Sequence, residues 1–364
     1  MNFTKVLVVT SSLADGGAER SSALLTIMLA DLGYDVHVAT VLDQIEYDYK
    51  GTLFNLGLLK NDNDTFFGRF KRLMAFKKYL RVNNFDHIID NRTRTSSLSE
   101  FIISRFVYNP KKVIYVVRSF KIASYFPESN FLAKNIYRAS PFIIAVSKEI
   151  KQAIEVRYGY RNVICIYNPI IENELRDVPD EQQVSGQFIL SYGRIDDEVK
   201  NLSLLIDSYS RSVLPQKNIP LYIIGNGKDE EKLKNKVAEM QLSNKIIFKA
   251  KMKNPFPYVK AALFTVLTSR YEGFPRVIIE SLAVGTPVVS VDCSSGPKEI
   301  IQNEQNGLLV ENDNLPALVN ALNRFVEEPN LYDICKNNAI KSIEHLSIQN
   351  ISFEWKKILS ENHE

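Results

Sequence analysis

The stretch Ser269-Arg270-Tyr271-Glu272-Gly273-Phe274-Pro275-Arg276-Val277-Ile278-Ile279-Glu280, continued by Ala283-Val284-Gly285-Thr286-Pro287-Val288-Val289, decides how the chain folds. An apolar run at 263–267 precedes it, and a second, at 288–291, ends it. Short β-rich runs of this kind read as buried strands. Between them Pro275 suits the first position of a helix, predicted over 275–284. The result is one strand–loop–helix–strand step. Glu272 falls in the loop, and Glu280 falls about 1.5 turns along the helix. The neighbours of Glu280 are apolar (Val277, Ile278, Ile279, Leu282, Ala283), so its carboxylate requires a partner.

The same step repeats outward in both directions. In the second half, strands are predicted at 188–192, 221–224, 245–248, 263–267, 288–291 and 308–310, with helices near 200–212, 228–241, 275–284, 297–302 and 315–326. In the first half, strands are predicted at 6–10, 36–41, 87–90, 113–117, 142–146 and 163–166, with helices near 18–32, 66–83, 96–107, 130–139 and 147–157. Gly33 fits the position that ends the first helix. Such alternation argues for α/β architecture with parallel sheets. A polar, acidic stretch at 172–187, with Pro179 and Gly186, reads as a linker between the two series. The tail at 329–362 reads as wholly helical and holds the one Trp, Trp355. Two similar α/β units predict two doubly wound domains, with a ligand in the cleft outside the carboxyl ends of the strands.

Composition agrees with this. The chain has 364 residues, 45% hydrophobic and 24% charged, which is ordinary for globular proteins. Its length suits two domains at roughly 100–200 residues each. Gly 15 and Pro 14 are too few for a disordered or fibrous chain. The three cysteines (Cys165, Cys293, Cys335) are too few and scattered for a disulfide framework or a zinc site. A reducing, cytoplasmic compartment is therefore expected. The apolar run at 6–10 is too short for a secretory leader core. No run approaches the ~18–20 apolar residues that span a bilayer, so any membrane association is expected to be peripheral.

The net charge of +3 hides an uneven distribution. Residues 1–68 carry a net −5, residues 69–161 a net +13, and residues 162–364 a net −5. The densest part, 69–81, holds six cations and no anion, with Phe70, Leu73, Phe76 and Leu80 at helical spacing. Such a helix can lie on an anionic membrane surface. Equally, it can be a solvated surface helix whose apolar stripe faces its own domain. Nucleic acid is not expected as a partner, because no recognition motif accompanies the charge.

Three further features point to the same kind of ligand as Glu272 and Glu280. Ser11 to Arg20 includes Asp15-Gly16-Gly17-Ala18-Glu19 between the first strand and the first helix. Two glycines let backbone pass close to a ligand, and a helix start offers N–H groups to an anion. A tight turn explains the glycines equally well. Next, Gly193-Arg194 ends the first strand of the second series, and Lys200 follows six residues after Arg194. A diphosphate there would meet a forked donor and a point charge; two solvated cations are the plain alternative. Third, Gly225-Asn226-Gly227 follows a strand but lacks the third glycine of a dinucleotide fingerprint. Carboxylates accept from hydroxyls, and the helix start near Arg276 and Val277 offers N–H groups to phosphate. A ligand with hydroxyls at both ends and phosphates between is a nucleotide-sugar.

Glu272-x7-Glu280, with Glu-Gly-Phe-Pro and the Ala283–Val289 continuation, resembles the signature of the retaining GT-B glycosyltransferases of glycosyltransferase family four. The glycine loops, Arg194 with Lys200, and Ser295-Gly296-Pro297-Lys298-Glu299-Ile300 fall in that family's order. The resemblance implies two Rossmann-like domains: 1–170 for the acceptor, with 345–364 crossing back onto it, and 171–344 for the donor. It implies that Arg194 and Lys200 hold the diphosphate and that Glu272 bonds to donor-sugar hydroxyls, helped by amides of Gly273, Phe274 and Arg276. Glu280 would take the ribose, Gly16 and Gly17 would approach the phosphate, and the base would rest near Lys251 and Met252. Many family members place a His at the end of an N-terminal-domain strand. None of His37, His87, His345 and His363 has that position. Val116-Val117-Arg118-Ser119-Phe120 stands there, so Arg118 or Ser119 is expected on the sugar or acceptor side.

The expected reaction moves a hexose or N-acetylhexosamine from a nucleotide-sugar, a UDP-sugar first, to a lipid-linked or surface-polysaccharide acceptor. No cofactor or metal is expected, because Arg194 and Lys200 already serve the diphosphate. The one Asp-x-Asp, Asp62-Asn63-Asp64, reads as a solvated turn. The alternatives are a nucleotide-sugar epimerase of similar build and a non-catalytic glycosyltransferase-like partner subunit. A nicotinamide dehydrogenase fails for want of the third glycine and of an acid closing the second strand.

Overall fold

The structure, a computed structural model, describes residues 3–14, 16–60, 65–170, 184 and 186–360. Asp15, Asp62-Asn63-Asp64 and most of the 172–187 linker lie outside the described residues. The chain divides into two compact units, Met1–Pro169 with Ile348–Glu364, and Ile170–Ser347.

The first unit is built on seven strands: β1 (Lys5–Thr10), β2 (Asp35–Thr40), β3 (Thr52–Asn55), β4 (His87–Asp90), β5 (Val113–Val117), β6 (Ile143–Ala145) and β7 (Val163–Cys165). Their order is β3-β2-β1-β4-β5-β6-β7, and all pairs are parallel. The order reverses between β1 and β4, so the segments after these strands open at the switch point of the sheet. Strands such as Val113–Val117 are buried at every residue because helices cover both faces. The edge strand β3 was not expected: its residues are partly exposed and form no apolar run. Along one face, helix Phe66–Asn83 neighbours the Ile103–Val107 turn, Ser97–Ile102 neighbours Asn130–Tyr137, and the latter neighbours Lys148–Tyr158.

The second unit holds β8 (Ile189–Tyr192), β9 (Leu221–Ile224), β10 (Ile246–Lys249), β11 (Thr265–Leu267), β12 (Val288–Asp292) and β13 (Gly307–Glu311). Their order is β10-β9-β8-β11-β12-β13, again all parallel. Leu205, Ile206, Tyr209, Phe264, Leu318 and Leu322 are central to its core.

Four expectations are corrected, and one helix is added. The tail is not one helix. Pro329–Ser342 stays with the second unit, Glu344–Leu346 is a single 3-10 turn, and Ile348–Ser360 packs on Gly17–Asp31 of the first. Trp355 is buried there. The helix at 200–212 splits because Asn201 is left-handed at φ 50°. Asparagine tolerates that conformation, and its side chain is locked between Asp313 and Arg270 at 2.8 Å each. The helix at 96–107 changes after Ile102 into a π-type turn. The helix Phe256–Ala261, started by Pro255, went unforeseen because it is barely over one turn long. In helix Phe66–Asn83, Phe76 and Leu80 face inward, but Phe70 points out, so the expected four-residue stripe is broken.

Candidate active site

The donor-side candidates converge on the carboxyl edge of the second unit's sheet. Gly193 and Arg194 follow β8, Gly225 follows β9, Lys251 and Met252 follow β10, and Glu272 follows β11. Because β8 lies beside β11, Lys200 reaches Glu272: Nζ donates to Oε1 at 2.6 Å. Ser269 Oγ donates to the same oxygen at 2.6 Å. Thr268 Oγ1 donates to the Lys200 carbonyl at 2.9 Å and fixes the turn that carries the lysine. Arg194 is exposed, with Nε 4.0 Å from Asp196, so its fork is available to a ligand. A shallow recess open to solvent is lined by Tyr192, Gly193, Arg194, Lys200, Leu267 and Thr268 among others.

Helix Arg276–Ala283 begins beside this cluster, with Pro275 at its cap and no side chain capping it. Its first N–H groups therefore lack intrahelical partners. The loop before it is held by the next strand's turn. Glu272 N donates to Ser294 O at 3.0 Å, and Ser295 Oγ to Gly273 O at 2.5 Å. Gly296, at φ +104°, permits this closeness: a Cβ there would lie 2.3 Å from Pro275 Cδ.

Glu280 finds its required partner in its own chain. Arg276 Nε lies 3.1 Å and Nη2 3.0 Å from Oε1, and Tyr192 OH donates to Oε2 at 3.2 Å. From the sequence, only the amide of Arg276 is expected in the site. The i,i+4 spacing of Arg276 and Glu280 was the missed signal; Tyr192 and Ser269 had none. The glycines of Gly225-Asn226-Gly227 answer to the fold. A Cβ on Gly225 would lie 1.8 Å from Gly193 O, and one on Gly227 2.0 Å from Ile195 O. Lys251 N donates to Asn226 Oδ1 at 2.8 Å, which ties the β10 loop to that turn. The buried Cys293 thiol is pushed far up by burial and then by the Glu272 charge, so it is no nucleophile.

In the first unit, Gly16 caps helix Gly17–Asp31, and the Glu19 carboxylate folds back over it; a Cβ on Gly16 would lie 2.0 Å from Glu19 Oε2. A carboxylate of the chain itself thus covers the helix start where a phosphate was expected. Arg118, after β5, is anchored by two amide oxygens: Nε to Asn91 at 3.1 Å and Nη1 to Asn168 at 2.9 Å. Ser119 Oγ accepts from Lys121 N at 3.2 Å, a local turn. No group of three or more metal-ligating side chains occurs among the described residues.

Two doubly wound units, with a C-terminal helix returning to the first, define the GT-B class of glycosyltransferase. Residues 15–174 match the family described as Glycosyltransferase Family 4, and residues 177–342 the one described as Glycosyl transferases group 1. Together these matches span most of the chain, which belongs to the GT-B glycosyltransferases. It is similar to an N-acetylgalactosamine-N,N'-diacetylbacillosaminyl-diphospho-undecaprenol 4-alpha-N-acetylgalactosaminyltransferase of Campylobacter jejuni. The two are 28% identical over 92% of this chain and 93% of the relative. It is 30% identical to the lipopolysaccharide 1,6-galactosyltransferase of Escherichia coli over 50% of this chain and 52% of that one. Among solved structures, HepE of Anabaena in complex with UDP-glucose matches with a TM-score of 0.78 at 20% identity, covering 98% of this chain and 100% of that one.

Proposed function

We propose that the enzyme transfers a hexose or N-acetylhexosamine from a UDP-sugar, with retention at the anomeric carbon, to a lipid-linked or surface-polysaccharide acceptor at the inner face of the cytoplasmic membrane. The observation that carries this reading is the Lys200–Glu272 pair beside an uncapped helix start, with Glu280 held ready by Arg276 and Tyr192. The names of the relatives support the substrate classes: one acts on a diphospho-undecaprenol-linked glycan, another on lipopolysaccharide.

In this reading the bond from the anomeric carbon to the diphosphate breaks through an oxocarbenium-like state. Negative charge grows on the leaving diphosphate, where Arg194, Lys200 and the start of helix Arg276–Ala283 stabilise it. Glu272 accepts from sugar hydroxyls and Glu280 from the ribose. The acceptor hydroxyl attacks the face the diphosphate leaves, and its proton passes to the leaving phosphate oxygen. Arg118 stands on the acceptor or sugar side.

A thermal-shift screen of nucleotide-sugars, followed by NMR of the anomeric product, tests the proposal. A UDP-sugar is expected to stabilise the protein and to give an α- or β-linked product of unchanged configuration. Conversion of the donor with no acceptor present would establish an epimerase instead. The absence of any nucleotide-sugar effect would leave the non-catalytic subunit.

A further inference from the structure

The segment 97–107 divides its apolar residues, with Phe101, Ile103 and Val107 partly buried. Its buried side carries Glu100 and Ser104, whereas Leu98 (72% exposed), Ile102 and Phe106 (62%) point outward at i, i+4, i+8. A helix serving only its own domain turns its apolar stripe inward. Here the inward side is dictated by ions: Arg92 Nη2 lies 3.3 Å from Glu100 and 2.6 Å from the fully buried Asp90. Nothing in that network requires large apolar groups on the other side.

The neighbouring helices also expose large apolar side chains. Helix Phe66–Asn83 exposes Phe67 (82%), Phe70 and Met74 at i, i+3, i+7, and helix Asn130–Tyr137 exposes Phe131 (75%). Both neighbour the 97–107 segment. Single exposed apolar residues are ordinary, but several on adjoining elements mark an interaction surface. The same elements are rich in cations: six on 69–81, then Arg105, Lys134 and Arg138. The acids on these elements come down to Glu100, which is buried.

We propose that this face docks on an anionic phospholipid bilayer, its apolar row entering the boundary between headgroups and acyl chains while the cations meet lipid phosphates. Phe67, Leu98 and Phe131 lie near the starts of their helices. In a parallel sheet these starts share the carboxyl edge with Gly16 and Arg118. Docking would thus hold the candidate acceptor edge near the lipid surface. A second copy of the chain is a poorer occupant, since a twofold contact would press two cationic faces together. The inference rests on the lipid-linked acceptor reading for its purpose, but vesicle binding tests it without turnover.

The test is co-sedimentation of the full chain with phosphatidylcholine vesicles, with and without phosphatidylglycerol. Two variants are compared, Leu98→Ser/Ile102→Ser/Phe106→Ser and Lys71→Gln/Lys77→Gln/Lys78→Gln. Wild-type protein is expected to bind only the anionic vesicles and to be released by salt. Each variant should bind at least about tenfold more weakly, while its circular dichroism and its thermal shift with UDP stay at wild-type values. Wild-type protein that ignores anionic vesicles, or an apolar variant that binds as wild type does, overturns the proposal. So does a wild-type dimer, blind to vesicles, that the apolar substitutions split. A missing UDP shift alongside intact vesicle binding would instead count against the donor reading.

Discussion

Lys200 Nζ lies 2.6 Å from Glu272 Oε1, although the two residues are 72 positions apart in sequence. The side chains keep 22% and 14% of their exposure, so both charges are largely withdrawn from water and each depends on the other. Glu272 also accepts from Ser269. Lys200→Met and Glu272→Gln are each expected to lower turnover by at least about tenfold, since a charge-assisted hydrogen bond is worth roughly 1.5–3 kcal/mol. Arg194→Ala should do the same with less effect on stability, because its side chain is exposed. Steady-state rates beside urea unfolding curves check this; full activity in a folded Glu272→Gln protein would remove Glu272 from the site.

The Arg276–Glu280 pair is the more deeply buried, with side chains 9% and 8% exposed. Arg276→Ala leaves a buried carboxylate short of its cation and is expected to destabilise by about 3–5 kcal/mol. Tyr192→Phe removes one hydrogen bond and should cost about 1 kcal/mol. It should also narrow the difference in affinity between UDP and 2′-deoxy-UDP, measured by calorimetry. An unchanged difference would separate Glu280 from the ribose.

Turnover is expected to persist in excess EDTA, because Arg194 and Lys200 supply the positive charge a leaving diphosphate needs. Loss of activity that Mg²⁺ or Mn²⁺ restores would show that these two cations are insufficient.

Asp90 and Glu100 share Arg92 yet titrate in opposite directions. Burial pushes Asp90 up, but the charge and hydrogen bonds of Arg92, with Arg94, outweigh it and hold the carboxyl below its ordinary 3.8. Its stabilisation is therefore complete above that value and is lost as pH falls through the lower folded value. For Glu100, burial outweighs Arg92 and lifts the carboxyl above its ordinary 4.5. Its contribution is present below 4.5 and declines as pH rises through the folded value. Asp90→Asn should destabilise at pH 7 by about 3–5 kcal/mol. Glu100→Gln should stay within about 1 kcal/mol of wild type there, and should flatten the decline above the ordinary value. Urea unfolding at several pH values decides it; equal losses in both variants would refute the distinction.

The strands were legible in the sequence wherever both faces of the sheet are covered, as in Val113–Val117 and Leu221–Ile224. There a continuous apolar run has one reading. The edge strand Thr52–Asn55 and the short helix Phe256–Ala261 lack that signal. Glu272 and Glu280 were legible too, since a strand, a proline and a helix place them locally.

Spacing along one chain thus determined the alternating α/β pattern, the two units and the two carboxylates, because strand period, helix period and turn chemistry are local properties. The tertiary structure alone decided which cation meets Glu272. Lys200 reaches Glu272 because β8 lies beside β11. It also decided that Gly225 and Gly227 serve a close backbone approach, and that the 97–107 segment turns one apolar row outward. Burial of Glu100 beside Arg92 sets that last orientation, and no periodicity within the segment encodes a partner that lies outside it.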